Sequence, residues 1–248
     1  MSLQIGWNHI NIKELSINKG SFSNELSGIK IAFLSDLHLK KKIPLELLRG
    51  LIDTINTYNV DLVLFGGDII EQRAKHLKEH IKLFEELKAK GYFVTGNHDI
   101  VYGAKELEFL MQKSGIECID NQIAKLQIKG AQFQLVGLGD RYSFLRGIKR
   151  PVKELFLKLD PNLPTILLTH QPKDSEHIKE HRIDIQLSGH THGGQIYPLT
   201  YLVKLFQPFF SGLYRYRQTD VYVSNGVGYW GVDVRYKALN EVVILTIN

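Results

Sequence analysis

Five short apolar runs, each closed by a cluster of small, acidic, amide or histidine residues, constrain this chain more than any other feature. They lie at about 30–34, 61–65, 92–95, 165–168 and 183–187. The clusters behind them read Ser35-Asp36-Leu37-His38, Gly66-Gly67-Asp68, Gly96-Asn97-His98-Asp99, Thr169-His170 and Ser188-Gly189-His190-Thr191-His192. Apolar runs this short, bounded by turn-forming residues, read as strands buried on both faces. After Pro44 the period changes to that of a helix, with Leu47, Leu48, Leu51, Ile52 and Ile55 on one face. Leu77, Ile81, Phe84 and Leu87 predict a second helix over 74–88. Further helices are expected near 105–113, 152–159 and 175–181. An edge strand is expected near 8–17, with more strands near 116–119, 123–128, 133–138, 221–224 and 241–247. A β-α-β-α-β order followed by mixed strands predicts a layered α/β fold. In such folds ligands bind beyond the carboxyl ends of the strands, which is where all five clusters stand.

No linker, internal repeat or low-complexity segment divides the chain, so a single domain over 1–248 is expected. The 44% hydrophobic content fills a sizeable core, and 23% charged residues is not the balance of a disordered chain.

The residue types at the strand ends carry the chemistry. Carboxylate, imidazole and amide oxygen together suit divalent ions such as Mn, Fe or Zn. Asp36 and His38 stand two apart, so both can turn to one ion from a loop, and His190 and His192 repeat the spacing. Two ions roughly 3.5–4 Å apart clamp an in-line displacement at phosphorus and need a shared carboxylate. Asp68, with Gly66 and Gly67 allowing close backbone approach, is the natural bridge. His98 follows Asn97 directly, and imidazole titrates near neutrality, which suits a general acid.

These ordered motifs resemble the calcineurin-like metallophosphoesterase superfamily over residues 31–225. The nearer resemblance is to a branch of bacterial membrane-associated phosphodiesterases and UDP-2,3-diacylglucosamine pyrophosphatase-like enzymes. Its Ser-Asp-Leu-His, Gly-His-Thr-His-Gly-Gly-Gln and late Val-Ser-Asn-Gly are present here at 35–38, 189–195 and 223–226. The resemblance implies a four-layer α/β/β/α sandwich of two mixed sheets flanked by helices. It implies one metal held by Asp36, His38, Asp68 and His192 and a second held by Asp68, Asn97, His170 and His190. His98 would be the catalyst beside them, and a metal-bridging hydroxide the nucleophile. The implied activity is hydrolysis of a phosphodiester or pyrophosphate, with a small phosphorylated and lipid-linked substrate in view. The chain departs from much of the superfamily where an Asp-Arg pair is common three residues past the bridge. Here Glu71, Gln72 and Arg73 occupy those positions. Glu71 reads equally as an acid orienting His98 or as one placed near a helix N-terminus. Two other function classes stay open: a catalytically silent metal-binding interaction module, and a nuclease or cyclic-nucleotide phosphodiesterase. His98 beside a full ligand set argues against the first.

Other features are weighed lightly. His76/His80 and His177/His181 have zinc-binding i, i+4 spacing but lie among Lys and Glu, as surface residues do. Cys118 reads as a small buried hydrophobe, and a lone Cys suits a reducing, cytoplasmic setting. The formal charge of +5 favours anionic partners, though no groove pattern of aromatic and basic residues outside 197–217 supports nucleic acid. The segment 197–217 is rich in Leu, Phe and Tyr with interspersed Lys204, Arg215 and Arg217. It reads as a peripheral membrane or acyl-chain contact, or as an insertion packed on the core or in a dimer contact. No run reaches the ~18 apolar residues of a membrane span. An anchor or export signal upstream of residue 1 is compatible with the branch.

Overall fold

In the computed structural model, which describes residues 3–17, 26–180 and 182–248, the apolar runs form strands. The chain begins with β1 (Leu3–Ile5), β2 (Asn11–Ile17), β3 (Lys30–Leu34), α1 (Leu45–Thr57), β4 (Leu62–Phe65), α2 (Lys78–Lys82) and β5 (Lys90–Phe93). It continues through α3 (Asn97–Tyr102), α4 (Ala104–Lys113), β6 (Ile116–Cys118), β7 (Gln122–Ile128), β8 (Ala131–Leu138), α5 (Val152–Phe156), β9 (Thr165–Thr169) and β10 (Ile185–Ser188). The last elements are α6 (Leu199–Phe206), β11 (Gly212–Tyr216), β12 (Thr219–Val223), β13 (Val234–Tyr236) and β14 (Glu241–Ile247).

Two mixed six-stranded sheets result, in the orders β2-β14-β3-β4-β5-β6 and β11-β12-β10-β9-β8-β7. Strands β3 to β6 run parallel in the first, and β8, β9, β10 and β12 run parallel in the second. β1 and β13 pair separately as an antiparallel ribbon. Alternation along the strands builds the layers. Ile31, Phe33, Leu62 and Leu64 face Ile166, Leu168 and Leu187 between the sheets. Their neighbours Ala32, Leu34, Val63 and Phe65 face outward onto α1 and α4 through Leu48, Ile52, Leu107 and Met111. On the second sheet, Val136, Leu138, Leu167 and Val221 pack on Val152, Leu155 and Phe156 of α5. Each buried Leu, Ile or Phe contributes about 1.5–3 kcal/mol, so a strand apolar on both faces is stable only with layers on both sides. The expected four-layer sandwich is therefore what forms.

Some elements differ from expectation. The helix over 74–88 is a 3-10 turn, the short α2 and another 3-10 turn. Leu77, Ile81 and Phe84 still point into the core. Asn56 of α1 closes the second 3-10 turn, donating to the Glu86 carbonyl at 2.9 Å and accepting from the Lys88 amide at 3.0 Å. The helix near 175–181 is a 3-10 segment, Pro172–Glu180, and residue 181 lies outside the described residues. None of the described helices is long and apolar enough to cross a membrane.

Candidate metal centre

The loops after β3, β4, β5, β9 and β10 meet where the carboxyl ends of the two sheets converge. Five of their residues take an uncommon backbone: φ is +55° at Asp36, +45° at His38, +52° at Asp68, +71° at His190 and +52° at His192. Such conformations cost about 1 kcal/mol or more each and persist where surrounding structure imposes them. Here crossed backbone bonds impose them. The Asp36 amide donates to the Gly67 carbonyl at 2.9 Å, His38 to Asp68 at 3.0 Å, and Gly189 to His170 at 3.0 Å. The Asp36 carboxylate accepts from the His190 amide, and Asp68 Oδ1 accepts from the His98 amide at 2.8 Å. A side chain at Gly189 has no room: its Cβ would stand 1.9 Å from Ser35 Oγ and 2.2 Å from Asp36 Oδ2.

The structure brings six of the seven expected ligands together as two groups about Asp68, and Asn97 lines the same cavity as Asp68 and His190. In one, His192 Nε2 lies 3.4 Å from Asp36 Oδ1 and 3.0 Å from His38 Nε2, with His38 Nε2 3.7 Å from Asp68 Oδ2. In the other, His170 Nε2 lies 3.3 Å from Asp68 Oδ2 and 3.2 Å from His190 Nδ1. Adjacent ligand atoms at ~2.1 Å from a shared ion in right-angled geometry would stand about 3.0 Å apart, which these spacings approach. Asn97 Oδ1 is buried without a hydrogen-bond partner, the condition of a donor oxygen reserved for a cation. The donor set and spacing thus fit two divalent ions.

Outer contacts aim the imidazoles. His170 Nδ1 donates to the Gly66 carbonyl at 2.8 Å, leaving Nε2 for an ion. Glu71 resolves the alternative posed by the sequence. Its Oε2 lies 2.6 Å from His38 Nδ1 and 2.7 Å from His98 Nδ1. A carboxylate only accepts, so both rings carry a proton on Nδ1, and His38 turns its Nε2 to His192 Nε2 at 3.0 Å. Burial alone would raise the Glu71 pKa, but these two hydrogen bonds bring it down to about 2. Burial opposes a charged His98, yet Glu71 and Asp68 raise its pKa. Asp36 and Asp68 are fully buried, which favours protonation. Nearby imidazoles, foremost His192 for Asp36 and His170 for Asp68, hold both carboxyls well below the ordinary range instead.

Sequence reasoning missed several supporting residues. Asp99 accepts from the amides of Ile69, Ile70 and Gly96 at 2.8, 3.0 and 2.9 Å, tying the loop of Asp68 to that of Asn97. Asp140, past β8, accepts from the Gln171 amide group at 2.8 Å and holds the residue next to His170. The same pattern of apolar run plus Gly-Asp would have flagged it. Gln195 and Arg235 are buried behind His192, and a lone arginine within Val-Arg-Tyr was the available signal.

The remaining histidine pairs do not join the centre. His80 is buried rather than on the surface, and its Nε2 lies 2.7 Å from the Ile43 carbonyl, while His76 sits in a separate turn. His177 faces Asp174 and Glu176 at 3.8 and 3.6 Å, and His181 is outside the described residues. Cys118 is half-buried, and burial with Asp120 nearby pushes its thiol pKa far up, so it is not a reactive thiolate.

A cavity of about 620 Å³ opens from Asp68, Asn97 and His98 along Ile196, Val203, Phe206, Trp230 and Val232. Its outer wall is α6, an element not assigned from sequence, on which Tyr201, Leu205 and Phe206 are 60%, 79% and 72% exposed. Phe209 behaves differently from the rest of that aromatic segment. It packs against Tyr214 and Tyr216 at ring separations of 5.1 and 5.6 Å.

Residues 29–194 match the calcineurin-like phosphoesterase family. A metallophosphoesterase of Helicobacter pylori is 34% identical over 239 residues, which cover 94% of this chain and 63% of that protein. A transmembrane protein with metallophosphoesterase domain from Danio rerio is 32% identical over 243 residues, covering 93% of this chain and 56% of that protein. The phosphodiesterase YaeI of Escherichia coli is 29% identical over 219 residues, covering 84% of this chain and 78% of that protein. The chain spans about three-fifths of the length of the first relatives it matches.

Proposed function

The chain belongs to the calcineurin-like phosphoesterase family, and from that premise we propose that it hydrolyses a phosphodiester or pyrophosphate bond at a two-metal centre. The observation that carries the reading is the pair of ligand groups meeting at Asp68 with His98 at their edge. Two divalent ions bound there would acidify a water and draw charge from the phosphoryl oxygens. Asp36, His38, Asp68 and His192 would hold one, and Asp68, Asn97, His170 and His190 the other. His98 Nδ1 is committed to Glu71. The proton given to the leaving oxygen therefore comes from Nε2, and Glu71 offsets the charge that His98 carries beforehand.

The substrate reading follows from the cavity. A phosphate group at His98 would leave the remainder of the molecule along Ile196, Val203, Phe206 and Trp230, a path suited to an apolar portion such as the acyl chain of a lipid-linked nucleotide. Exposed Leu205 and Tyr201 on the outer side of α6, with Lys204 between them, support peripheral contact with an anionic membrane surface.

The test is turnover of bis(p-nitrophenyl) phosphate with Mn by the wild type and by His98→Ala. Loss of a general acid lowers the rate by about 10²–10⁴-fold where the leaving oxygen needs a proton, so the deficit of His98→Ala is expected to be larger on an alkyl phosphodiester than on the p-nitrophenyl ester. Diacylated sugar nucleotides and cyclic nucleotides then rank the substrate classes. No metal-dependent turnover of any phosphoester would favour a silent metal-binding module.

A further inference from the structure

Arg235 of β13 is wholly buried, and among the described residues no carboxylate lies within ion-pair distance of it. Burial pushes its pKa down to about 10. A buried guanidinium without a counter-ion is costly unless its donors are satisfied, and here backbone carbonyls satisfy them. Nη2 donates to Gly228 O at 2.7 Å and Gly226 O at 3.2 Å, and Nε donates to Gly228 O at 3.2 Å. Nη1 donates to His192 O at 3.1 Å and Ala238 O at 3.4 Å. Nη2 also lies 3.1 Å from His192 Nδ1.

These contacts converge on one ligand group. His192 belongs to it directly. The 226–228 segment belongs to it through the backbone, because the Val227 amide donates to Ser35 O at 2.9 Å and the Gly228 amide to Asp36 O at 2.7 Å. That segment lies flat on the Asp36 loop: a Cβ at Gly228 would stand 2.0 Å from Leu37 O. The fork of one guanidinium thus spans His192 and the support of Asp36, which arrive from different sheets. A lysine ammonium, a point donor on a flexible stem, cannot reproduce this span.

We propose that Arg235 is a positioning residue for the Asp36–His38–Asp68–His192 group, setting the approach of His192 to the Asp36 loop. It makes no contact with Asn97, His170 or His190 in the hydrogen bonds above, so its influence is selective for one of two sites. The proposal rests on the two-metal reading.

The experiment compares wild type, Arg235→Lys and Arg235→Met. Each is stripped with EDTA, checked by thermal melting in EDTA, and titrated with Mn²⁺ by calorimetry, with bound metal counted after desalting. The wild type is expected to bind two ions. Arg235→Lys is expected to melt cooperatively and to bind one ion as the wild type does, with the other weakened about 10–100-fold, as for other outer contacts of metal ligands. Affinities unchanged from the wild type at both sites in both variants, or weakened alike at both, would overturn the proposal. So would failure of both variants to fold even in excess Mn²⁺, which would make Arg235 a core residue only. A wild type that binds no Mn²⁺ would overturn the two-metal reading as well, and is distinguished from the other outcomes by the wild-type titration alone.

Discussion

Glu71 joins a metal-ligand candidate to a catalytic candidate through one oxygen, and that arrangement has a sign that can be measured. In the proposed mechanism His98 acts as an acid, so its protonated form would be the active one and the rate would fall as pH rises through its pKa. Glu71 and Asp68 raise that pKa against the effect of burial, which keeps the acid form present to higher pH. In Glu71→Gln the carboxylate charge is gone and the pKa drops. The alkaline limb of the kcat/KM profile, measured at saturating Mn, is therefore expected to move to lower pH. A profile whose alkaline limb is unmoved would remove Glu71 from this role. The seven ligand candidates were legible in the sequence because each follows an apolar run, a local signal. The reach of Glu71 to His38 was not, since it depends on two loops 33 residues apart folding over one another.

The same contrast holds for elements. Strands β3, β4, β9 and β10 were readable because strands buried on both faces are mostly apolar, the buried Gln186 and Ser188 of β10 being satisfied by one another at 2.9 Å. The 74–88 segment kept its inward face but folds as two 3-10 turns about a short helix, its end held by Asn56 in a contact that no local period shows. Helix α6 was hidden in a stretch whose aromatic residues serve two purposes, Phe209 packing inward and Phe206 standing largely in solvent. That division sharpens a test of membrane contact. Tyr201 and Leu205 are exposed and do not line the cavity, whereas Val203 and Phe206 do. Replacing Tyr201 and Leu205 with Ser should leave the melting temperature and the turnover of small diesters near wild type. Removing the two apolar side chains from an interface is worth on the order of 1–2 kcal/mol, so partitioning onto anionic vesicles should fall roughly tenfold. Vesicle binding that is the same in the folded double variant would count against α6 as the contact.

At the scale of the whole molecule, the centre couples the two sheets. Asp36, His38, Asp68 and Asn97 come from the first sheet, and His170, His190 and His192 from the second. Without ions, two ionised carboxylates and several imidazoles share a small buried volume, and five residues hold left-handed backbone. Such an arrangement is unfavourable in isolation and is offset by the apolar layers around it. Ions that bind only the folded chain shift the balance by mass action. At a hundredfold excess over Kd each site contributes about 2.7 kcal/mol, so two sites add about 5 kcal/mol. For a chain of this size that is a rise in Tm of roughly 10–20 °C. The wild type is therefore expected to melt at clearly lower temperature in EDTA than in Mn²⁺. Asp68→Asn, which weakens the ligand common to both sites, should lose most of that difference, while His98→Ala, which removes no ligand, should keep it. Calorimetric scans of the three proteins with and without metal decide the matter. Equal melting of the wild type in EDTA and in saturating Mn²⁺ would show that the seven side chains converge without binding this ion, and would break the link between the sandwich and the proposed chemistry.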